Sequence, residues 1–177
     1  MSISLAALCN IRTLDELTDL LGSIEEETYR KQVCNPLKKP LSSVGTHCRH
    51  IIEFYQCFFL GLSNHVIDYD ARERDVEIER NKVRAIAQLG LIESRLIKLS
   101  NKEERGTSLL LNTQVDPHTE VIRTQTNIER ELVFLQNHSV HHLALIALLL
   151  NHYGQNTPDD FGLANATRIH QLKEAAG

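Results

Sequence analysis

Three histidines lie within five residues of this chain, His138, His141 and His142. If the segment is helical, His138 and His142 lie one turn apart on the same face, because residues four apart are neighbours on a helix surface. The apolar run 143–150 follows directly, so these two rings would face apolar surroundings. Burying an imidazole is costly unless its nitrogens find partners. A divalent metal ion can bind two rings at this spacing, so the pattern predicts a metal site.

Two imidazoles do not complete the coordination of a divalent metal, and an earlier pair of histidines can supply a third ligand. His47 and His50 begin a segment of helical periodicity that runs to about residue 65. Three histidines from two facing helices would leave a coordination position open to water or substrate. The spacing alone leaves both histidines as candidates.

Glu53 follows His50 at helical spacing and is the candidate general base beside the metal. The alternative is a glutamate on a solvated helix face. For His138 and His142 the alternative is a pair of core histidines that bond to backbone carbonyls or buried water. His141 points away from the other two, which favours a role in packing or in support of the ligands.

Helical periodicity over most of the chain predicts the elements that must position these residues. We expect four long helices, at about residues 13–30, 47–65, 76–99 and 126–154. The first and last would start at capping boxes that begin with Thr13 and Thr126. Such a set of helices predicts an all-α four-helix bundle over residues 5–154.

Two smaller features complete the expected fold. Residues 109–115 and 120–124 have the composition of strands and flank a turn at Asp116 and Pro117, which predicts a short β-hairpin between helices three and four. Pro158 and later glycine predict an irregular C-terminal arm over residues 155–177 that packs on the bundle.

Composition limits the possible functions. The 177 residues carry a net charge of −4 and no block of Lys and Arg, so we expect no binding to nucleic acid. The N-terminus lacks the charged and apolar regions of a secretory signal. The run 143–150 is far shorter than the ~20 residues that span a bilayer. These observations predict a cytoplasmic protein with no membrane partner.

Two segments resemble signatures of the DinB/YfiT-like superfamily. Residues 43–52, Ser-Val-Gly-Thr-His-Cys-Arg-His-Ile-Ile, are similar to its second-helix motif, and residues 137–142, Asn-His-Ser-Val-His-His, to its fourth-helix HxxxH motif. The resemblance covers roughly residues 5–153. Ser42 stands where the family usually has tryptophan, and counting from it makes His50 the family's second-helix histidine, with His47 as a reserve ligand.

This resemblance implies a frequently dimeric four-helix bundle that holds zinc, nickel or iron through three histidines, here His50, His138 and His142. Some members are thiol-dependent transferases or isomerases. The resemblance therefore implies a metal-dependent transferase or hydrolase that acts on a small molecule, with a low-molecular-weight thiol as possible cosubstrate. It also implies a homodimer. The competing hypothesis is a non-catalytic, stress-linked metal-binding or structural dimer. The chain has no HExxH motif, and no glutamate precedes a histidine by three residues, which argues against zincin proteases and di-iron bundles.

Overall fold

The computed structural model describes residues 3–34, 40–101 and 108–175. Within them the chain forms seven helices and five short strands. In chain order the elements are α1 (Ile3–Ser23), α2 (Glu26–Arg30), β1 (Val33–Cys34), β2 (Pro40–Ser42), α3 (Val44–Asn64), β3 (Val66–Asp68), α4 (Val76–Arg80), α5 (Lys82–Ser100), β4 (Ser108–Thr113), β5 (Ile122–Asn127), α6 (Ile128–His152) and α7 (Asn165–Ala175).

The four long helices α1, α3, α5 and α6 enclose the hydrophobic core. Helix α1 packs against α5 and α6, and α3 packs against the same two helices. Each helix buries one apolar face, as its periodicity predicts. The fully buried side chains include Leu14, Leu17 and Leu21 of α1, Ile51, Ile52 and Phe58 of α3, Leu89 and Leu96 of α5, and Leu132 and Ile146 of α6.

Helix boundaries depart from the expected ones at both ends of α1. The helix starts at Ile3, so Thr13 lies inside it and donates a hydrogen bond from Oγ1 to the carbonyl of Cys9. The first predicted capping box is therefore wrong. Ile3 and Ala6 are buried in the core, and this burial stabilises a helix that begins further toward the N-terminus. The expected continuation to residue 30 is also wrong, because α1 ends at Ser23 and α2 is separate.

The expected third helix is divided in two. Asn81 adopts an extended conformation between α4 and α5, and its side chain accepts a hydrogen bond from the backbone N–H of Arg84. An asparagine that caps a new helix in this way breaks the old one. At α6 the cap is Asn127, which accepts from the N–H of Arg130, so the cap lies one residue after the predicted one, Thr126.

The predicted β-hairpin is confirmed, and it belongs to a larger sheet. Strands β4 and β5 pair antiparallel, with Ser108 opposite Asn127. Strand β3 adds to β4 in parallel, with Val66 opposite Leu110, which makes a three-stranded sheet in the order β3-β4-β5. A purely all-α fold is thus wrong in detail. The third strand was missed because β3 has only three residues and pairs with a strand far along the chain.

The C-terminal arm is only partly irregular, because α7 occupies Asn165–Ala175. Before it, Phe161 is buried, and a Cβ at Gly162 would lie 2.5 Å from the backbone nitrogen of Ala144 in α6. From α7, Arg168 donates to both carboxylate oxygens of Glu16 at 3.0 Å. The arm therefore contacts α6 and α1.

Helix α6 is long and apolar enough to cross a membrane, judged by length and composition alone. The run 143–150 alone is too short to span a bilayer, but the whole helix has 25 residues. In the structure one face of α6 packs against α1 and α3, and 33% of the apolar window is buried.

Candidate metal centre

The three predicted ligand histidines and the reserve ligand His47 lie on two neighbouring helices. His47 and His50 occupy the first two turns of α3, and His138 and His142 lie midway along α6. Ser43 fixes the start of α3, because its side chain accepts a hydrogen bond of 3.0 Å from the N–H of Thr46. This N-cap is the usual way to satisfy the first free N–H groups of a helix.

His50, His138 and His142 come together as one cluster. One ring nitrogen from each can be chosen so that all three lie within 4.8 Å of one another. Nε2 of His50 is 3.0 Å from Nε2 of His138. Imidazole nitrogens on a tetrahedral zinc ion, with bonds of 2.0–2.1 Å, would be about 3.3 Å apart. The three histidines are therefore close enough to bind a metal ion.

The protonation state of these rings also fits metal binding. Burial, together with the positive charge of Arg72, lowers the pKa of His50 to about 3. Burial likewise lowers the pKa of His138 to about 4 and that of His142 to about 3. At neutral pH all three imidazoles are uncharged, which is the form that coordinates a metal.

His47 lies beside this cluster. Its Nδ1 is 2.9 Å from Nδ1 of His142, and its Nε2 is 2.8 Å from the hydroxyl oxygen of Ser42. If His142 binds an ion through Nε2, its Nδ1–H can donate to His47, and the Nε2–H of His47 can then donate to Ser42. A hydrogen-bond partner for the ring nitrogen that does not bind the metal is typical of metal-bound histidine. The geometry thus makes His50 the better candidate for the third ligand.

Three aromatic side chains, called the aromatic wall below, pack on one side of the cluster: Phe54, Tyr69 and Phe134. The ring of Phe54 stacks on His138, with centroids 4.2 Å apart, and on Tyr69, with centroids 5.0 Å apart. Phe134 stacks on the same histidine at 5.6 Å. The sequence placed Phe54 on the apolar stripe of its helix and Tyr69 in a charged loop, and it did not show that they meet Phe134, because contacts between different elements leave no mark on local spacing.

Glu131, which sequence reasoning missed, anchors that wall. It is fully buried and accepts hydrogen bonds of 2.7 Å from the hydroxyl of Tyr69 and from the guanidinium of Arg130. The hydroxyl of Thr126 also donates to it. Burial is the main cause that raises the pKa of Tyr69, so its hydroxyl stays protonated and donates. The available signal was the position of Glu131 on the buried stripe of α6, one residue before Leu132.

Glu53, the predicted general base, is only 2% exposed. One of its carboxylate oxygens accepts a hydrogen bond of 2.7 Å from the N–H of Asp75, and Arg49 lies 3.9 Å away. These contacts hold the start of α4 against α3. A catalytic role for Glu53 stays a prediction.

Arg72 reaches the cluster from the loop between β3 and α4. Its guanidinium donates a hydrogen bond to Nδ1 of His50 and lies over the ring of Phe54, 5.0 Å from the centroid. The loop itself is turned by Asp68, whose carboxylate accepts from the N–H groups of Asp70 and Ala71. From sequence, this charged loop could be either a solubilising turn or a substrate contact.

Comparison with known proteins adds one partial similarity. No family model matches the chain, and no solved structure matches it. Over 110 residues the chain is 29% identical to FK506-binding protein 5 of Rhizopus delemar. That stretch is 62% of this chain and 28% of the other protein. The chain is therefore similar to a minor part of a longer protein.

Proposed function

We propose that this protein is a DinB-like four-helix-bundle metalloprotein that binds one divalent ion through His50, His138 and His142. In this proposal it is a metal-dependent transferase or hydrolase that acts on a small molecule. The observation that supports it best is the convergence of three uncharged imidazoles from two helices. They are the histidines that the family resemblance selects.

The packing of the long helices supports the bundle. Each of α1, α3, α5 and α6 contacts two of the others, as the members of a four-helix bundle do. The two motifs of the resemblance lie on α3 and α6, which face each other. The parallel strand β3 and the helix α7 are additions to that plan.

An ion bound here would lower the pKa of a water or thiol, or polarise a carbonyl. The surrounding side chains serve orientation: His47 holds the ring of His142, and Phe54 holds that of His138. The three ligand rings are only half-buried, so a small molecule can approach them. Zinc, nickel and iron all suit three imidazoles. The thiol cosubstrate and the homodimer rest on the resemblance, and the cytoplasmic location rests on the sequence.

Elemental analysis of untagged protein tests the metal site. We expect near-stoichiometric metal in the wild type and in His118→Ala, a matched control in an exposed turn. Metal should be lost in His50→Ala, His138→Ala and His142→Ala. A stable wild type that takes up no zinc, nickel or iron would contradict the proposal. Metal retained in His50→Ala but lost in His47→Ala would show a different ligand set.

The second candidate is a non-catalytic metal-binding or structural protein. The engagement of Glu53 favours it, because a buried carboxylate that already accepts from Asp75 is a poor general base. Metal-loaded protein assayed for thiol transfer and for hydrolysis distinguishes the two. Turnover that disappears in His138→Ala supports the enzyme, and bound metal without turnover supports the alternative.

A further inference from the structure

Arg72 is a cation whose charge has no carboxylate partner within 4.0 Å among residues 3–34, 40–101 and 108–175. Its contacts there are Nδ1 of His50 and the face of Phe54. Its Nε is shielded from solvent and has no hydrogen-bond partner in the described part of the chain. A guanidinium in this position can bind an anionic ligand by donating hydrogen bonds from its remaining N–H groups.

The contact with His50 fixes the proton positions in the cluster. A guanidinium only donates, so Nδ1 of His50 must be unprotonated. The proton of that neutral ring is then on Nε2, which donates to Nε2 of His138 at 3.0 Å.

A metal ion cannot coexist with this arrangement. Coordination through Nε2 of His50 would move the ring proton to Nδ1, which would then face the guanidinium as a second donor. Coordination through Nδ1 would take the lone pair that Arg72 now uses. In either case the guanidinium loses its acceptor when the ion binds.

The charges of the site lead to the same conclusion. Three neutral imidazoles, a divalent ion and a guanidinium would carry three positive charges. The two buried carboxylates of this region are already engaged, Glu53 with Asp75 and Glu131 with Tyr69 and Arg130. Unbalanced charge in a partly buried site is costly, so an incoming anion would be stabilised.

We propose that the site binds a small organic carboxylate, which the released guanidinium of Arg72 holds beside the open metal position. This inference rests on the proposed function and adds a substrate class to it. The planar fork of an arginine matches the two oxygens of a carboxylate.

Linkage between anion and metal tests this proposal without any assay of activity. Zinc affinity is measured by competition with a chromophoric chelator, with sodium acetate or with sodium perchlorate at equal ionic strength. The proteins are the wild type, Arg72→Gln, Arg72→Lys, and Arg74→Gln, which removes an exposed charge from the same loop. Thermal unfolding confirms that each variant is folded.

In the wild type and in Arg74→Gln, acetate should tighten zinc binding about tenfold, since a charge-assisted pair contributes on that order. In Arg72→Gln, zinc should bind more tightly than in the wild type under perchlorate, and the acetate effect should vanish. Arg72→Lys should keep part of it, because it retains the charge and loses the fork. The binding of either ligand must help the other by the same factor.

Two results would overturn the inference. If zinc binds and acetate has the same effect in the wild type and in Arg72→Gln, or none in the wild type, Arg72 is not the anion ligand and the metal site still stands. If the wild type binds no zinc, nickel or iron, the proposed function fails first and the inference fails with it. Elemental analysis separates these two cases.

Discussion

Nδ1 of His47 lies 2.9 Å from Nδ1 of His142, although the two residues are 95 positions apart in the chain. One of these nitrogens must donate and the other accept. With the hydroxyl of Ser42 on the far side of His47, the three side chains form a hydrogen-bonded row that ends at a candidate metal ligand. The row gives His47 a role in orienting a ligand.

His47→Ala should therefore weaken metal binding and leave it measurable. Loss of a side chain that orients a ligand typically lowers metal affinity about 10–100-fold. Ser42→Ala, one step further out, should have a smaller effect. The measurement is zinc affinity by chelator competition, with His118→Ala as the control. Complete loss of metal in His47→Ala would make it a ligand.

Glu131→Gln should destabilise the fold by about 1–3 kcal/mol, because an amide nitrogen cannot accept from the donors that now surround the carboxylate. Those donors are the hydroxyl of Tyr69 and the guanidinium of Arg130. Urea unfolding measures the loss. The control is Glu129→Gln in the same helical turn, which should cost under about 1 kcal/mol. Equal stabilities of the two variants would refute the structural role of Glu131.

Glu93→Gln should stabilise the protein at neutral pH. Burial, and the negative charges of Asp15 and Asp19, raise the pKa of Glu93 above its usual value in the folded state. Folding then favours the protonated form, so this contribution to stability is present below the unfolded-state pKa and is lost as pH rises through the folded-state pKa. At pH values above the folded-state pKa, glutamine at position 93 removes the cost of ionising this carboxyl group. At acid pH, where the carboxyl group is protonated, glutamine brings no gain.

Thermal unfolding at neutral and acid pH checks this. Glu120→Gln, in the exposed turn between β4 and β5, is the control and should behave like the wild type at both pH values. A gain for Glu93→Gln that is the same at acid and neutral pH would show that ionisation is not its cause.

Gly61→Ala and Gly90→Ala should change stability in opposite directions. A Cβ at Gly61 in α3 would lie 2.4 Å from a side-chain carbon of Ile67 and 2.8 Å from its Cα, so the strand β3 would have to move. We expect a loss of about 1–3 kcal/mol. Gly90 in α5 has nothing within 4 Å of such a Cβ, and alanine there should add about 0.5–1 kcal/mol. Urea unfolding of both variants is the measurement, and destabilisation by Gly90→Ala would contradict the reasoning.

The sequence alone determined what depends on spacing within one element. The distance of four between His138 and His142 places both on one face of a helix, whatever that helix packs against. The strand-like composition of residues 109–115 and 120–124, on either side of the turn at Asp116 and Pro117, predicted the hairpin from local sequence in the same way. The family resemblance selected His50 over His47, and His50 is the one that forms the cluster with His138 and His142.

Tertiary structure alone decided which elements meet. The contact of Arg72 with His50, the bonds from Tyr69 and Arg130 to Glu131, and the pairing of β3 with β4 need a particular packing of the helices. The break at Asn81 and the early start of α1 were also hidden, because local preferences of a few tenths of a kcal/mol per residue yield to burial of a whole apolar face. Spacing is a property of the chain, whereas proximity is a property of the fold.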